Sequence, residues 1–289
     1  MTTDMPLDAW IGGAETDRDS ARASDLARFE AIFGRMDAEV GSLPPLAHWM
    51  LFPAIVPQDQ IGSDGHPRRG GFLPPVHHLP RRMWTGGRLR FLAPVPVSEP
   101  LERRSVIKAI SEKKGSSGEL VFVTVAHTIL DERGAVLLEE EQDLVYRGMG
   151  VANAPPAAST EGVAVEETIV PDEVMLFRYS AATFNGHRIH YDRSYAREVE
   201  FYPALVVHGP LTATMLLRTA MRAAAARPLH FSFRAVSPAF DGQPLTLRAS
   251  GVDGEGRVRC WAAGPDGRSV MTAEASFPTA PDSAKPGDA

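Results

Sequence analysis

Apolar residues recur at helical spacing from Ser24 to Val40 (Leu26, Phe29, Ile32, Phe33, Met36), which predicts one amphipathic helix. The twenty residues before Ala21 are polar and small and are expected to be disordered. From Gly41 to Pro80 repeated prolines and glycines break any long element, leaving Trp49–Val56 as a short buried helix. The period then shortens to that of strands over Arg88–Val95, Ser105–Lys114, Leu120–Leu130 and Val136–Tyr146. The turn clusters Ser98–Pro100, Gly115–Gly118 and Asp131–Gly134 separate them, so an antiparallel meander is expected. Leu120–Ala126 is apolar on both faces and β-branched, which suits a central strand.

Gly148–Gly162, rich in Ala, Pro and Ser, has no periodicity and reads as a linker. Beyond it, Val174–Ser180 reads as a strand and Pro210–Ala226 as a long helix. Leu229–Val236, Gln243–Gly251, Arg257–Gly264 and Ser269–Phe277 read as four further strands. The helix is apolar nearly all round and must be enclosed, so the pattern calls for an antiparallel sheet wrapped around one helix. Two such units side by side would merge their sheets and hide unpaired edges. The implied division is a disordered start (1–20), an N-terminal unit (21–148), a linker (149–165), a C-terminal unit (166–278) and a disordered tail (279–289).

Composition excludes several classes. The 289 residues carry 36 acidic against 30 basic side chains, with no charge block that would serve a nucleic-acid or lipid partner. One cysteine, Cys260, makes neither an internal disulfide nor a thiolate metal cage, and a reducing cytoplasm is the expected location. No stretch is apolar enough to span a membrane, since Arg218 and Arg222 interrupt the longest one. Glycine-rich phosphate loops, dinucleotide fingerprints and nucleophile elbows are missing from the sequence.

Of nine histidines, His187, His190 and His208 fall in one short stretch with Asn185, Gly186 and Asp192. Loops on a rigid frame carry polar function, but the same residues also serve as caps and turn formers. His187, His190 and Asp192 as a metal triad would lack helical spacing and a fourth ligand nearby, so no metal is expected. The pairs Lys113–Lys114 and Arg81–Arg82 are either solvated surface or contacts for the phosphates of a cofactor-like carrier.

The order Asn185, His190, Asp192 and then Leu205–Gly209, an apolar run ending in His-Gly, resembles the motif of the MaoC-like R-specific enoyl-CoA hydratases. Phe72–Pro75, Met83–Arg88 and Glu140–Arg147 are similar to the type 2 hydroxyacyl-thioester dehydratases, which include mesaconyl-C4-CoA and itaconyl-CoA hydratases. The resemblance implies an α+β double hotdog, with two antiparallel sheets each wrapped around a central helix. It also implies a hydro-lyase on an acyl-CoA, a short dicarboxylic acyl group among the candidates, and admits a homodimer of such chains. One departure stands out: the family's motif has a carboxylate where this chain has Asn185, and an amide takes no proton.

Adding water across the 2,3 double bond of an acyl thioester needs a base for water, a proton for the α-carbon and donors for the enolate oxygen; it needs no cofactor. His190 is the candidate base, Asn185 the group that holds the water, and the Gly209 amide at the start of the long helix the oxyanion donor. His187 is a second candidate for proton transfer. Arg188, Tyr191, Val207 and His208 are expected to contact substrate, Arg188 as a carboxylate partner in competition with Arg178 and Arg82. A non-catalytic acyl-thioester binding subunit and a hotdog thioesterase are the alternatives.

Overall fold

A computed structural model describes residues 6–115, 118–149 and 154–279. Its strands are β1 (Ala14–Ser20), β2 (Arg81–Phe91), β3 (Pro100–Gly115), β4 (Gly118–Asp131), β5 (Val136–Arg147), β6 (Val163–Ile169), β7 (His230–Ala235), β8 (Leu245–Ser250), β9 (Arg257–Ala263) and β10 (Ser269–Ser276). The helices are α1 (Ala23–Phe33), α2 (Glu173–Ala182), α3 (Arg193–Glu198) and α4 (Gly209–Ala224). All strands join one ten-stranded antiparallel sheet in the order β1-β3-β4-β5-β2-β7-β10-β9-β8-β6.

The two sheets are merged edge to edge, as expected for two such units side by side, and form this single sheet. Its two halves meet where β2 pairs with β7, from Gly86 opposite Arg234 to Arg90 opposite His230. This seam needs small residues: a Cβ on Gly86 would lie 2.7 Å from the Phe233 carbonyl oxygen, and one on Gly87 2.9 Å from the Phe233 ring.

The long helix exists as expected. Leu211, Ala213, Met215, Leu216, Leu217 and Ala220 of α4 are buried against β6, β8, β9 and β10. Its buried hydroxyls are satisfied within the helix, Thr214 donating to the Pro210 carbonyl and Thr219 to that of Met215, each at 2.9 Å. Arg218 and Arg222, which interrupt the apolar run, both pair with Glu167 of β6.

The N-terminal half has no such helix. The buried-helix expectation at Trp49–Val56 reduces to one 3-10 turn, Ala47–Met50, and the chain at Val76 and Leu79 covers Val121, Val123 and Val125 of β4 instead. β4 is central in its half, as expected from its apolar run.

Three further expectations change. Residues 14–20 form β1, because an edge strand paired through its backbone to β3 tolerates the polar side chains that made the segment look unstructured. Residues 163–165, given to the linker, open β6, while 150–153 lie outside the described residues, as do 1–5 and 280–289 of the two expected disordered ends. Val174–Ser180 is helical, not extended: Asp172 accepts from the Met175 N–H at 2.8 Å and starts α2. A short unbroken apolar run does not distinguish the two states by period. The amphipathic helix from Ser24 ends early, at Phe33, where Gly34 turns with φ +74°.

Candidate active site

α2 ends at Ala182, and the chain passes through Phe184 at φ +52° into the segment that carries Asn185, His187 and His190. A one-turn 3-10 helix, Arg188–His190, buries the His190 ring. Its Nδ1–H donates to the Val206 carbonyl at 2.7 Å, which leaves the Nε2 lone pair free. The ring stacks on His208 at 3.6 Å between centroids, and His208 is the residue that caps α4. His190 thus lies against the start of the long helix, where the Gly209 amide has no partner within the helix.

Burial lowers the His190 imidazole to about 4, against the pull of the Val206 hydrogen bond. His187 and His208 are likewise pushed below the ordinary imidazole range, first by burial, then His187 by His66 and His190 and His208 by His190 and His187. His208 is structural in its contacts: Nε2 meets Ser180 Oγ at 2.9 Å, and Tyr179 packs edge-on at 4.8 Å. Its Nδ1 is buried without a hydrogen-bond partner.

The other expected site residues divide. Asn185 is spent on its own turn, its side-chain oxygen accepting the His187 N–H at 3.0 Å. Arg188 braces its own segment: it bonds Asp192 Oδ2 at 3.0 and 2.7 Å, donates to the Ser63 carbonyl at 3.0 Å and lies over the Tyr195 ring. Tyr191 donates to the Gly186 carbonyl at 2.9 Å, and Val207 is buried in the core around α4. Arg178 stands exposed on α2, whereas Arg82 lies within electrostatic reach of His66 and His187 and forms no ion pair among the described residues.

Two groups went unread in the sequence: Asp64 and His66, on a loop of the N-terminal half. Asp64 Oδ2 meets His66 Nδ1 at 3.1 Å, and the His66 ring lies 4.1 Å from that of His187, which is 5.4 Å from that of His190. The loop docks backbone to backbone. The Arg188 N–H donates to the Asp64 carbonyl at 2.9 Å, and a Cβ on Gly65, which has φ +89°, would fall 1.8 Å from the Gly186 carbonyl oxygen. Burial favours a neutral Asp64 carboxyl, but hydrogen bonds from the His66 ring and backbone keep it well below the usual carboxylate range. The ligand atoms of Asp64, His66 and His187 lie within 4.8 Å of one another. The Asp64–His66 contact is a hydrogen bond that already satisfies both atoms, so the set reads as a dyad facing a ring and not as a coordination shell.

A cavity of about 130 Å³, with none of these histidines in its wall, is lined by His48, Trp49, Trp84, Arg103, His127, Glu140, Gln142 and Thr183. Trp84 connects it to the helix start, since its carbonyl oxygen lies 3.6 Å from where a Gly209 Cβ would be. The wall holds a buried charge that is fully paired. Glu140 accepts from the Trp49 indole at 2.9 Å and the Gln142 amide at 3.0 Å, and meets His48 Nε2 at 3.0 Å. Burial would raise Glu140, yet these partners bring it to about 2.

The fold is of the hotdog class. A MaoC-like dehydratase from Phytophthora capsici superposes with a TM-score of 0.70 at 16% identity, over 96% of this chain and 100% of that one. A Mycobacterium tuberculosis protein, Rv0216, described as a double hotdog fold, gives 0.62 at 13% identity over 92% of this chain and 96% of that one. The family model for hydroxyacyl-thioester dehydratase type 2 matches residues 46–241, and the chain belongs to that family. Among its relatives, the mesaconyl-C(4)-CoA hydratase of Chloroflexus aurantiacus is 44% identical over 276 residues, 92% of this chain and 95% of the relative.

Proposed function

We propose that this hydro-lyase adds water across, or removes it to form, the 2,3 double bond of a short dicarboxylic acyl-CoA such as mesaconyl-C4-CoA. The observation that carries the reading is the free Nε2 of buried His190, stacked on the residue that precedes the unpartnered Gly209 amide. A water held at that lone pair can reach C3 while the thioester oxygen gathers negative charge opposite the amide.

The substrate class is argued from charge. The carboxylate of a mesaconyl group sits on C3, the carbon that water attacks. Arg82, beside His66 and His187 and without an acidic partner among the described residues, has the position and charge to meet it. The 44% identity to a mesaconyl-C4-CoA hydratase agrees with that choice.

The test is incubation of the full chain with mesaconyl-CoA and with crotonyl-CoA. Hydration removes enoyl absorbance without releasing thiol, so thiol release would mark a thioesterase and no change in either signal a binding subunit. His190→Ala is expected to lower hydration about 10²- to 10⁴-fold, and an unchanged rate would remove His190 from the chemistry.

A further inference from the structure

The group that takes a proton from water must hold it until the enolate carbon collects it. On His190 that positive charge would form in a buried ring whose contacts are the His208 ring, the His187 ring and one backbone carbonyl. A carbonyl supports an imidazolium far less than a carboxylate does. The place where the motif of related enzymes carries a carboxylate is Asn185, and its oxygen is engaged with the His187 N–H.

A carboxylate does reach this run of rings, from the opposite half of the chain. Asp64 backs His66 through Nδ1, which directs the remaining ring nitrogen, Nε2, away from the carboxylate. The loop that carries both is fixed in place by several contacts. Gly62 and His66 close it through an N–H to carbonyl bond of 2.7 Å, Arg188 holds it from the facing segment at Ser63 and Asp64, and the Gly65–Gly186 approach admits no side chain on either residue. A solvated surface loop has no need of such close docking against a buried histidine cluster.

We propose that His66 is the second catalytic imidazole of this enzyme and Asp64 its positioning residue, together replacing the carboxylate that position 185 lacks. This rests on the hydro-lyase reading above. In hydration the water lies between the two imidazoles and hydrogen-bonds to His190 Nε2. As its oxygen bonds C3, its other proton passes to His66 Nε2 and the π pair moves to the thioester oxygen opposite the Gly209 amide. The enolate then re-forms the carbonyl and C2 takes the proton from His66, so one water is consumed and both rings end as they began. The imidazolium exists only while Asp64 faces it.

The charged and titratable groups that face His66 are Asp64, His187, His190, Arg69 and Arg82. Asp64 favours the protonated ring and the two arginines oppose it, so removing Asp64 should move the protonation of His66 to lower pH.

The experiment uses the full chain as His66→Gln, His66→Ala and Asp64→Asn, each checked for an unchanged melting temperature. His66→Gln should lose about 10²- to 10⁴-fold in kcat with KM within about threefold, and added imidazole should restore part of the activity of His66→Ala. Asp64→Asn should lower kcat and shift the acid limb of the pH profile to lower pH. Hydration by both polar variants within threefold of wild type would overturn the assignment, as would a lack of imidazole rescue. Loss of wild-type activity to a chelator, with recovery on adding a divalent cation, would also overturn it in favour of a cation site. A wild-type chain that hydrates no enoyl-CoA would instead remove the hydro-lyase reading itself, and this proposal with it.

Discussion

Arg82 and Arg188 sit close in space to the same histidines yet have opposite freedoms. Arg188 has its guanidinium divided between Asp192, the Ser63 carbonyl and the Tyr195 ring, so recruiting it to a substrate would break contacts that hold the loop. Arg82 has no acidic partner among the described residues, and its guanidinium lies beside the neutral Tyr146 hydroxyl, a contact that a carboxylate can outcompete. Charge-assisted hydrogen bonds contribute roughly 1.5–3 kcal/mol, so Arg82→Gln should raise KM for mesaconyl-CoA about 10- to 100-fold and leave crotonyl-CoA nearly unchanged. Equal effects on the two substrates would assign Arg82 to the CoA moiety or to folding. At this scale the sequence showed His190, His208 and Gly209 because they lie in one ordered motif, but it did not separate the arginines, whose difference is which neighbours hold them. Asp64 and His66 were illegible for another reason. They stand in a stretch of Pro and Gly without period, and their partners are more than a hundred residues away in the chain, a pairing that only the closed fold creates.

Elements differ in what holds them, and so in what a substitution should do. α4 is anchored by apolar burial: Leu216 is fully buried in the core, and Leu216→Ala should cost about 2–5 kcal/mol of stability. The loop around Asp64 contributes little apolar surface and is held by main-chain contact, so its failure should be local. Gly65→Ala would place a methyl group 1.8 Å from the Gly186 carbonyl oxygen, on a residue at φ +89°. The loop must then lift away from the histidines. Misplacement of a catalytic group by about 1 Å can cost on the order of 10²-fold in rate, so Gly65→Ala is expected to keep most of the melting temperature and lose activity. Parallel loss of both, measured by thermal melts beside hydration rates, would show that the loop supports the fold and not the site. The same contrast explains which elements the sequence revealed. α4 and the interior strands announce themselves by apolar period, whereas β1 is held by backbone pairing with β3 and α2 starts at a single cap, so neither needs a diagnostic apolar pattern.

For the whole molecule, the single sheet joins the halves at the Gly86–Gly87 seam and encloses the histidines of one half under a loop of the other, which couples the site to global stability through protons. His190 and His208 are buried and His187 half-buried as neutral rings, with His190 brought down to about 4, while in the unfolded chain each would titrate near 6.5. A group whose folded pKa is depressed contributes stability above its unfolded pKa and loses it as pH falls through the folded one. His190 by itself would account for ~3 kcal/mol lost between pH 6.5 and 4. Glu140, paired with His48 and held near 2, adds a second loss that begins near its unfolded value of 4.5 and continues below it. The melting temperature should therefore fall steadily from pH 7 to pH 4, before most carboxylates titrate, and His190→Gln should make that upper part of the curve less steep, His187 and His208 remaining, while leaving the Glu140 part below pH 4.5 in place. A melting temperature constant from pH 7 to pH 5 would mean that the rings take up protons in the folded enzyme at the same pH as in the unfolded chain. His190 would then lose its Nε2 lone pair below about pH 6.5 and hydration should fall with it, so the stability curve and the pH profile of the rate test each other.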